Sequence, residues 1–350
     1  MNINQLFDLT IQKQASDLHL VVGFPPQLRV HGELLSVPGA EIITPIELDS
    51  LLAPLLNPLQ KEIFDKDFEF DFSFEFENKA RFRVNLYRQK GKKAAAMRLI
   101  PLAIRTLEEL GVPAVISNIA ELRQGFILVT GPTGHGKSTL LAALIQKINT
   151  ERASHIITIE DPIEYVYPRG KSLISQRELY YDTKSWDNAL KSVLREDPDV
   201  VLIGEMRDLE TISSAMTIAE TGHLVFATLH TNSAAQSIDR VVDVFPEVQQ
   251  PQIRLQLAAT LEAVISLRLV PTINPGRVMV AEILFANPAS RNMIRDAKSF
   301  LLDNLIQTSA EMGMVSLENS LATLVRSGRV SEEVALRFAL RPELLMKLLH

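Results

Sequence analysis

The chain has no cysteine among its 350 residues. A disulfide framework, a thiol nucleophile, a cysteine-ligated zinc and a thiolate-bound iron–sulfur cluster are therefore excluded. It also lacks a basic excess. Forty-two acidic residues against 36 Lys plus Arg give a formal charge of −6, whereas a generic nucleic-acid binder carries surplus positive charge to neutralise phosphates. No run of about 18 apolar residues exists, so no transmembrane helix is expected. The start, MNINQLFDLTIQKQ, has no basic segment and Asp8 interrupts its apolar residues, so no signal peptide is expected. The expected address is the cytoplasm, with a peripheral membrane partner left open. What is present suits a globular protein of two or three domains, long enough to bury a sizeable core without staples.

Residues 1 to about 100 read as a small α+β unit. Leu6, Leu9 and Ile11 suggest a short first helix. Leu18 to Val22 reads as a strand stopped by Gly23 and Pro25–Pro26, and Gln27 to Val30 as a second, turned by His31–Gly32. Glu47 to Phe64 is helical in pattern, broken by Pro54 and Pro58. Phe68, Phe70, Phe72, Phe74 and Phe76 then alternate with polar residues, the mark of a strand with one buried and one wet face. Asn78–Lys79 turns the chain into a strand at Arg81 to Leu86, and Met97 to Ile100 closes the unit before Pro101. The phenylalanine ladder is expected to be core.

From about residue 107 strand and helix alternate. Phe126 to Val129, Ile156 to Ile159, Val200 to Ile203 and Leu224 to Ala227 are short and wholly apolar. Helical patterns at about 140–148, 187–195 and 211–219 separate them. Such strands between helices predict a parallel sheet covered on both faces. From Ala289 onward the chain reads as helical, punctuated by Gly313 and Gly328.

Residues 131 to 138, GPTGHGKS, fit the G-x-x-x-x-G-K-[ST] pattern. Gly131, Gly134 and Gly136 let the backbone curl so that successive N–H groups face phosphate oxygens. Pro132, Thr133 and His135 fill the loop. Lys137 is placed to reach the β- and γ-phosphates, and the Ser138 hydroxyl to ligate Mg²⁺, with Thr139 beside it at the positive end of the following helix. The flanks agree: a strand at 125–130 leads in and a helix at 138–148 leads out.

Such a site needs a carboxylate from a second strand and a group that polarises water. VVLIGEM ends a buried strand at Gly204–Glu205, where ligands bind in parallel sheets. IITIEDPIEY places Glu160, Asp161 and Glu164 after another strand, and three carboxylates in five residues call for a cation or basic group. His223 and His230 bracket the strand LVFATL, and a histidine at the C-terminal end of such a strand can contact the γ-phosphate.

These residues carry a resemblance. LREDPDVVLIGEMRD, residues 194 to 208, resembles the signature of the bacterial secretion ATPases of the type II and type IV pilus class. IEDPIEY resembles that family's aspartate box and TGHLVFATLHTNSA its histidine box. ASDLHL with GFPPQLRVHG resembles the N-terminal domain of the PilT-type, pilus-retraction branch. The likeness spans essentially the whole chain and implies an α/β fold: a PAS-like N-terminal α+β domain over residues 1–100, a linker at 101–106, a RecA-like P-loop ATPase core at 107–288 and a helical C-terminal region at 289–350. It further implies a homohexameric ring motor with ATP and Mg²⁺ as cofactors, ATP lying between the two domains. Its partner would be an inner-membrane pilus platform protein, reached from the cytoplasm, and its output pilin disassembly and twitching motility. Glu205 matches the Walker B glutamate, and Glu164 the aspartate-box acid that activates water or holds Mg²⁺ together with Asp161. His223 and His230 match the histidine box. Arg81, Arg83 and Arg98 lie on segments matching the charge-neutralising arginine fingers. In ASRNMIRDAK, residues 289 to 298, Arg291, Ile294 and Arg295 of a retraction-linked motif are retained while Ser290, Met293 and Asp296 depart from it. His135 stands where small residues are common; its side chain can point outward.

Pilus assembly or type II secretion ATPases remain the alternative, as does an accessory nucleotide-binding subunit that seldom hydrolyses. A nucleic-acid translocase is disfavoured by the acidic balance. The assembly types usually carry a longer N-terminal region and a tetracysteine zinc element, and this chain has neither, so no zinc and no nucleic-acid partner are expected.

Overall fold

The computed structural model describes every residue except 31, 78, 101 and 102. The expected turns at His31–Gly32 and Asn78–Lys79 and the Pro101 boundary therefore lie partly outside the described residues. The chain divides into two compact units. The first comprises Met1–Ile104 with the segments Glu160–Tyr167 and Arg177–Lys184; the second holds Arg105–Ile159, Pro168–Gln176 and Ser185–His350.

In the first unit, six strands form a sheet of antiparallel pairs: β1 (Asp17–Val21), β2 (Gln27–Val30), β3 (Glu33–Ser36), β4 (Glu69–Phe76), β5 (Ala80–Gln89) and β6 (Lys92–Ile100), in the order β3-β2-β1-β6-β5-β4. The helix Ile3–Gln12 starts on a capping box between Asn2 and Gln5 and buries Ile3, Leu6, Phe7 and Thr10. The phenylalanine ladder meets it. Phe7 lies 4.1 Å, ring centre to ring centre, from Phe82 and 5.3 Å from Phe76, offset contacts typical of a packed aromatic core. Phe68 is not part of the ladder. It ends the helix Pro58–Asp67 in the left-handed region, at φ 64°, and is half exposed. The alternation in the sequence runs one step past the strand that the backbone forms.

In the second unit the strands are β7 (Gly125–Thr130), β8 (His155–Glu160), β9 (Leu173–Glu178), β10 (Val200–Ile203), β11 (Leu224–Leu229), β12 (Leu261–Pro271) and β13 (Arg277–Phe285), ordered β13-β12-β7-β11-β10-β8-β9. Strands β12, β7, β11, β10 and β8 run parallel. The four strands expected to lie parallel do so, and β12 and β13 add a long antiparallel hairpin that makes the sheet mixed. Both are long, nearly unbroken apolar runs, in which period alone does not tell strand from buried helix. β12 also carries a bulge. Leu261 stands opposite Phe126 and Ala263 opposite Ile127, leaving Glu262 as the extra residue. Its side chain lies over Gly125, where a Cβ would come within 2.3 Å of Glu262 Cγ. Arg291 holds it at 2.7 Å while donating to the carbonyls of Ala258 and Ala259.

The C-terminal helices Leu317–Arg326, Glu332–Phe338 and Pro342–Leu349 pack Leu317, Leu321, Ala335 and Leu345 against Val270, Val278 and Val280 of the hairpin. Polar groups are buried in the same region. Glu282 and Glu318 are 1% and 0% exposed. Arg341 lies 3.9 Å from Glu282, 4.0 Å from Glu318 and 3.3 Å from Asp303, and Arg268 also faces the two glutamates. Burial first, then the like charges of Asp303 and Glu318, raise the Glu282 carboxyl from 4.5 to about 7 against the opposing Ala234 N–H and Arg341.

Below 4.5 both folded and unfolded chains hold this proton, and no penalty exists. Between 4.5 and about 7 the unfolded chain releases it while the folded chain keeps it, so stability falls as pH rises. At 1.36 kcal/mol per unit the loss is about 3 kcal/mol. Glu282→Gln removes this loss. Its denaturation midpoint relative to the unaltered protein should climb through that window; a difference that stays flat with pH would refute the assignment.

Candidate functional site

The loop after β7 turns on two glycines where any other residue would be strained. Gly131 has φ 138°, and a Cβ there would come within 2.4 Å of the Leu267 carbonyl oxygen; Gly136 has φ 91°, with Met279 Cε 2.8 Å from a Cβ. Gly136 opens the helix Lys137–Glu151, whose N-terminus has no side-chain cap and no acid in its first turn. The first N–H groups of a helix have no partner within the helix itself, and with the positive end of the dipole such a terminus suits an anion. Ser138 and Thr139 lie in that first turn. The Lys137 ammonium donates to the carbonyls of Gly131 at 2.7 Å and Pro132 at 3.2 Å.

Three strand ends bring the chemistry together. Glu205 follows β10, His230 follows β11, and Lys137 follows the loop after β7. His230 Nε2 lies 3.0 Å from the Glu205 carboxylate, and its Nδ1 lies 3.4 Å from Lys137 Nζ and from Thr133 Oγ1. A neutral ring protonated on Nε2 satisfies all of these partners, donating to Glu205 and accepting from the other two. Burial alone would raise the Glu205 carboxyl, but Arg207 at 2.9 Å and His230 outweigh it and hold the group below its ordinary value. Glu205 is thus an anion at neutral pH, able to accept a proton or to bind a cation.

Two histidines stand elsewhere than their spacing suggests. His223 precedes β11, at the end of the strand opposite His230, and six strand residues separate them, a span of roughly 20 Å. Its Nδ1 donates to the Ile218 carbonyl at 3.0 Å. The structure does not bring it to the phosphate loop of its own unit. His135 does not point outward. Its Nδ1 accepts the Leu269 N–H at 3.3 Å, tying the loop to β12. Burial, then Arg268, Lys137 and Arg277, lowers its pKa and favours the neutral ring that this bond requires.

The remaining candidates belong to the first unit. Arg83 and Arg98 are direct cross-strand partners on β5 and β6. Arg83 lies 3.2 Å from Glu164, and Arg98 3.0 Å from Asp17. Arg81 is held inward: it donates to the Ile163 carbonyl at 2.9 Å, to Ser73 and to Glu178, and its side chain is 12% exposed. Glu178 went unnoticed in the sequence. Buried at the end of β9, it accepts from Ile163 N–H, Ser73 and Arg81 and so fixes the segment that carries Glu164. Its partners are far away in the chain, so no local pattern marks it. Asp161 sits directly after β8 in the same segment. Among the described residues, no group of three or more His, Cys, Asp or Glu is arranged to hold a metal.

Fold and site together make this chain a P-loop ATPase. The model of the family described as type II/IV secretion system protein matches residues 2–282. The chain belongs to that family. It is 46% identical over 346 residues to the Pseudomonas aeruginosa protein named type IV pilus retraction ATPase PilT, covering 98% of this chain and 99% of that one. It is 49% identical over 319 residues to a Neisseria gonorrhoeae twitching motility protein, covering 91% and 85%. A crystal structure of the pilus retraction motor PilT with bound ADP superposes with a TM-score of 0.90 at 41% identity, covering 99% of each chain.

Proposed function

We propose that this chain is the motor of type IV pilus retraction, hydrolysing ATP to drive pilin disassembly and twitching. The observation that carries this reading is its end-to-end likeness to a retraction ATPase, with almost nothing left over on either chain. The absence of cysteine supports it, since a tetracysteine zinc element of the assembly type cannot be built. In this reading residues 1–100 form a PAS-like domain, 101–106 a linker, 107–288 a RecA-like core and 289–350 a helical C-terminal region. The chain works as a homohexamer on an inner-membrane platform protein. No helix among the described residues is long and apolar enough to cross a membrane, so that association would be peripheral.

The phosphate loop and Lys137 bind the β- and γ-phosphates. Glu205 orients the attacking water and accepts its proton, and His230 reports the γ-phosphate to both Glu205 and Lys137. Mg²⁺ fits this donor set, because it keeps several waters and binds nucleotide phosphates with only one or two protein oxygens. Ser138 and Glu205 would hold it. Bound there, it would neutralise charge on the phosphates. Arg83 and Arg98 are the proposed fingers. Two guanidinium groups directly opposite on neighbouring strands repel each other, and an anion relieves that repulsion. Arg81, held by Glu178, supports the segment carrying Glu164.

A deletion strain separates directions. Excess surface pili with loss of twitching are expected, restored by the unaltered gene and not by one encoding Glu205→Gln. A bald strain would assign the chain to assembly instead.

A further inference from the structure

One transverse row of the second unit's sheet lies directly beneath the site. Glu282 on β13 pairs with Ser266 on β12, Ser266 with Thr130 on β7, and Thr130 with Leu229 on β11. The next residues along β7 and β11 are Gly131 and His230. Glu282 is the one charged residue inside β13, and Thr130 the one hydroxyl of β7. Apolar residues would fill these positions without desolvation cost, so core packing alone does not explain them.

Their hydrogen bonds converge on the chain that follows His230. Thr130 Oγ1 is 2.8 Å from Ser266 Oγ and 3.3 Å from Ser237 Oγ. Ser237 Oγ is 2.7 Å from Thr231 Oγ1. Glu282 Oε1 accepts the N–H of Ala234 at 2.8 Å. Ala234 and Ser237 lie in the first turn of the helix Ala234–Asp243, which starts four residues past His230, and Thr130, Ser237, Ser266, Ala234 and Glu282 are all buried. The second Glu282 oxygen has no hydrogen-bond partner and faces Arg341, at the start of the last helix.

We propose that Glu282 is a positioning residue for hydrolysis: with the Ser266–Thr130–Ser237–Thr231 hydroxyls it locks the start of the helix Ala234–Asp243 to the end of β7, and so holds His230 between Lys137 and Glu205. The carboxylate fixes the helix start, and the hydroxyl row fixes its distance from the strand that enters the phosphate loop. Arg341, at the start of the last helix, faces the same carboxylate at 3.9 Å. The proposal rests on reading Glu205, His230 and Lys137 as the hydrolytic site.

The test uses the full-length protein, with ATP turnover and ADP binding as separate readouts. Glu282→Ala should lower kcat about tenfold, the loss expected for one buried hydrogen bond that orients a catalytic group. ADP affinity should hold within about twofold, since the phosphate contacts are untouched. Glu282→Gln keeps an acceptor for Ala234 and should restore kcat. Ser237→Ala, a smaller change, should lose about threefold or more by the same argument, and stands in if Glu282→Ala does not fold. In a His230→Ala background neither substitution should cost anything further. An equal loss in that background, or ADP affinity falling in step with kcat, overturns the positioning role. Unchanged turnover in His230→Ala alone would instead overturn the reading of His230 on which the proposal rests.

Discussion

Glu205→Gln should bind ATP as well as the unaltered protein does and turn it over roughly 10²- to 10³-fold more slowly, the range seen when one preorganised catalytic group is removed. The substitution keeps size and hydrogen-bonding capacity at the end of β10 but removes the charge. Arg207 and His230 hold the carboxyl below its ordinary value, so at neutral pH the unaltered protein presents an anion throughout. An amide there cannot accept a proton from water or offset Mg²⁺. Binding is expected to survive because the proposed phosphate contacts come from other elements, the Gly131–Gly136 backbone and the N-terminus of the helix Lys137–Glu151. Nucleotide titration and steady-state turnover on the same preparation separate the two effects. Turnover at the unaltered rate would remove Glu205 from the mechanism.

Lys137→Ala should act on binding itself, weakening ATP by about 10²-fold or more, as expected when a charge-assisted contact to phosphate is lost in a partly desolvated site. Lys137 is nearly buried, and its ammonium already bridges the carbonyls of Gly131 and Pro132. Those carbonyls hold the ammonium where phosphate oxygens arrive. Alanine removes the charge and leaves the Gly131 carbonyl without that donor, so the loop loses both attraction and shape. Equilibrium binding of a labelled nucleotide measures this directly, and affinity within about twofold of the unaltered protein would contradict the role given to the loop. The two substitutions therefore divide the site: one fails after binding, the other before it.

The phosphate loop was readable in the sequence because all its parts lie within eight residues and its flanking strand and helix have strong apolar patterns. Glu205 was readable for a similar reason, as the polar end of a run of buried aliphatics. The contact of His230 with both Glu205 and Lys137 was not, because it depends on three strands ending at one level, a property of register. Glu178 and Glu282 were missed on the same ground: Glu178 binds Ser73, 105 residues away, and Glu282 binds Ala234, 48 residues away. His223 and His230 look alike in sequence, since both border β11, and only strand direction separates them. The β12–β13 hairpin escaped because an apolar run has no period to betray it. In the first unit, the side-by-side Arg83 and Arg98 come from the pairing of β5 with β6, whereas the burial of Arg81 comes from a segment some 80 residues further on.

The single inserted residue in β12 sets the phase of everything beyond it. Were that strand regular, Glu262 would stand opposite Ile127 and Ile265 opposite Thr130, and the alternation of side chains would turn Ser266 away from its partners. Glu262 is kept looped out by two residues of different kinds: Gly125, which leaves room for it, and Arg291, which grips it together with the last carbonyls of the preceding helix. Arg291 belongs to the C-terminal stretch whose match to the retraction-linked motif is partial, and it is one of the residues retained. Its clasp acts as an index pin. A side chain more than 150 residues downstream of the phosphate loop thereby grips the bulge at which β12 shifts its register against β7.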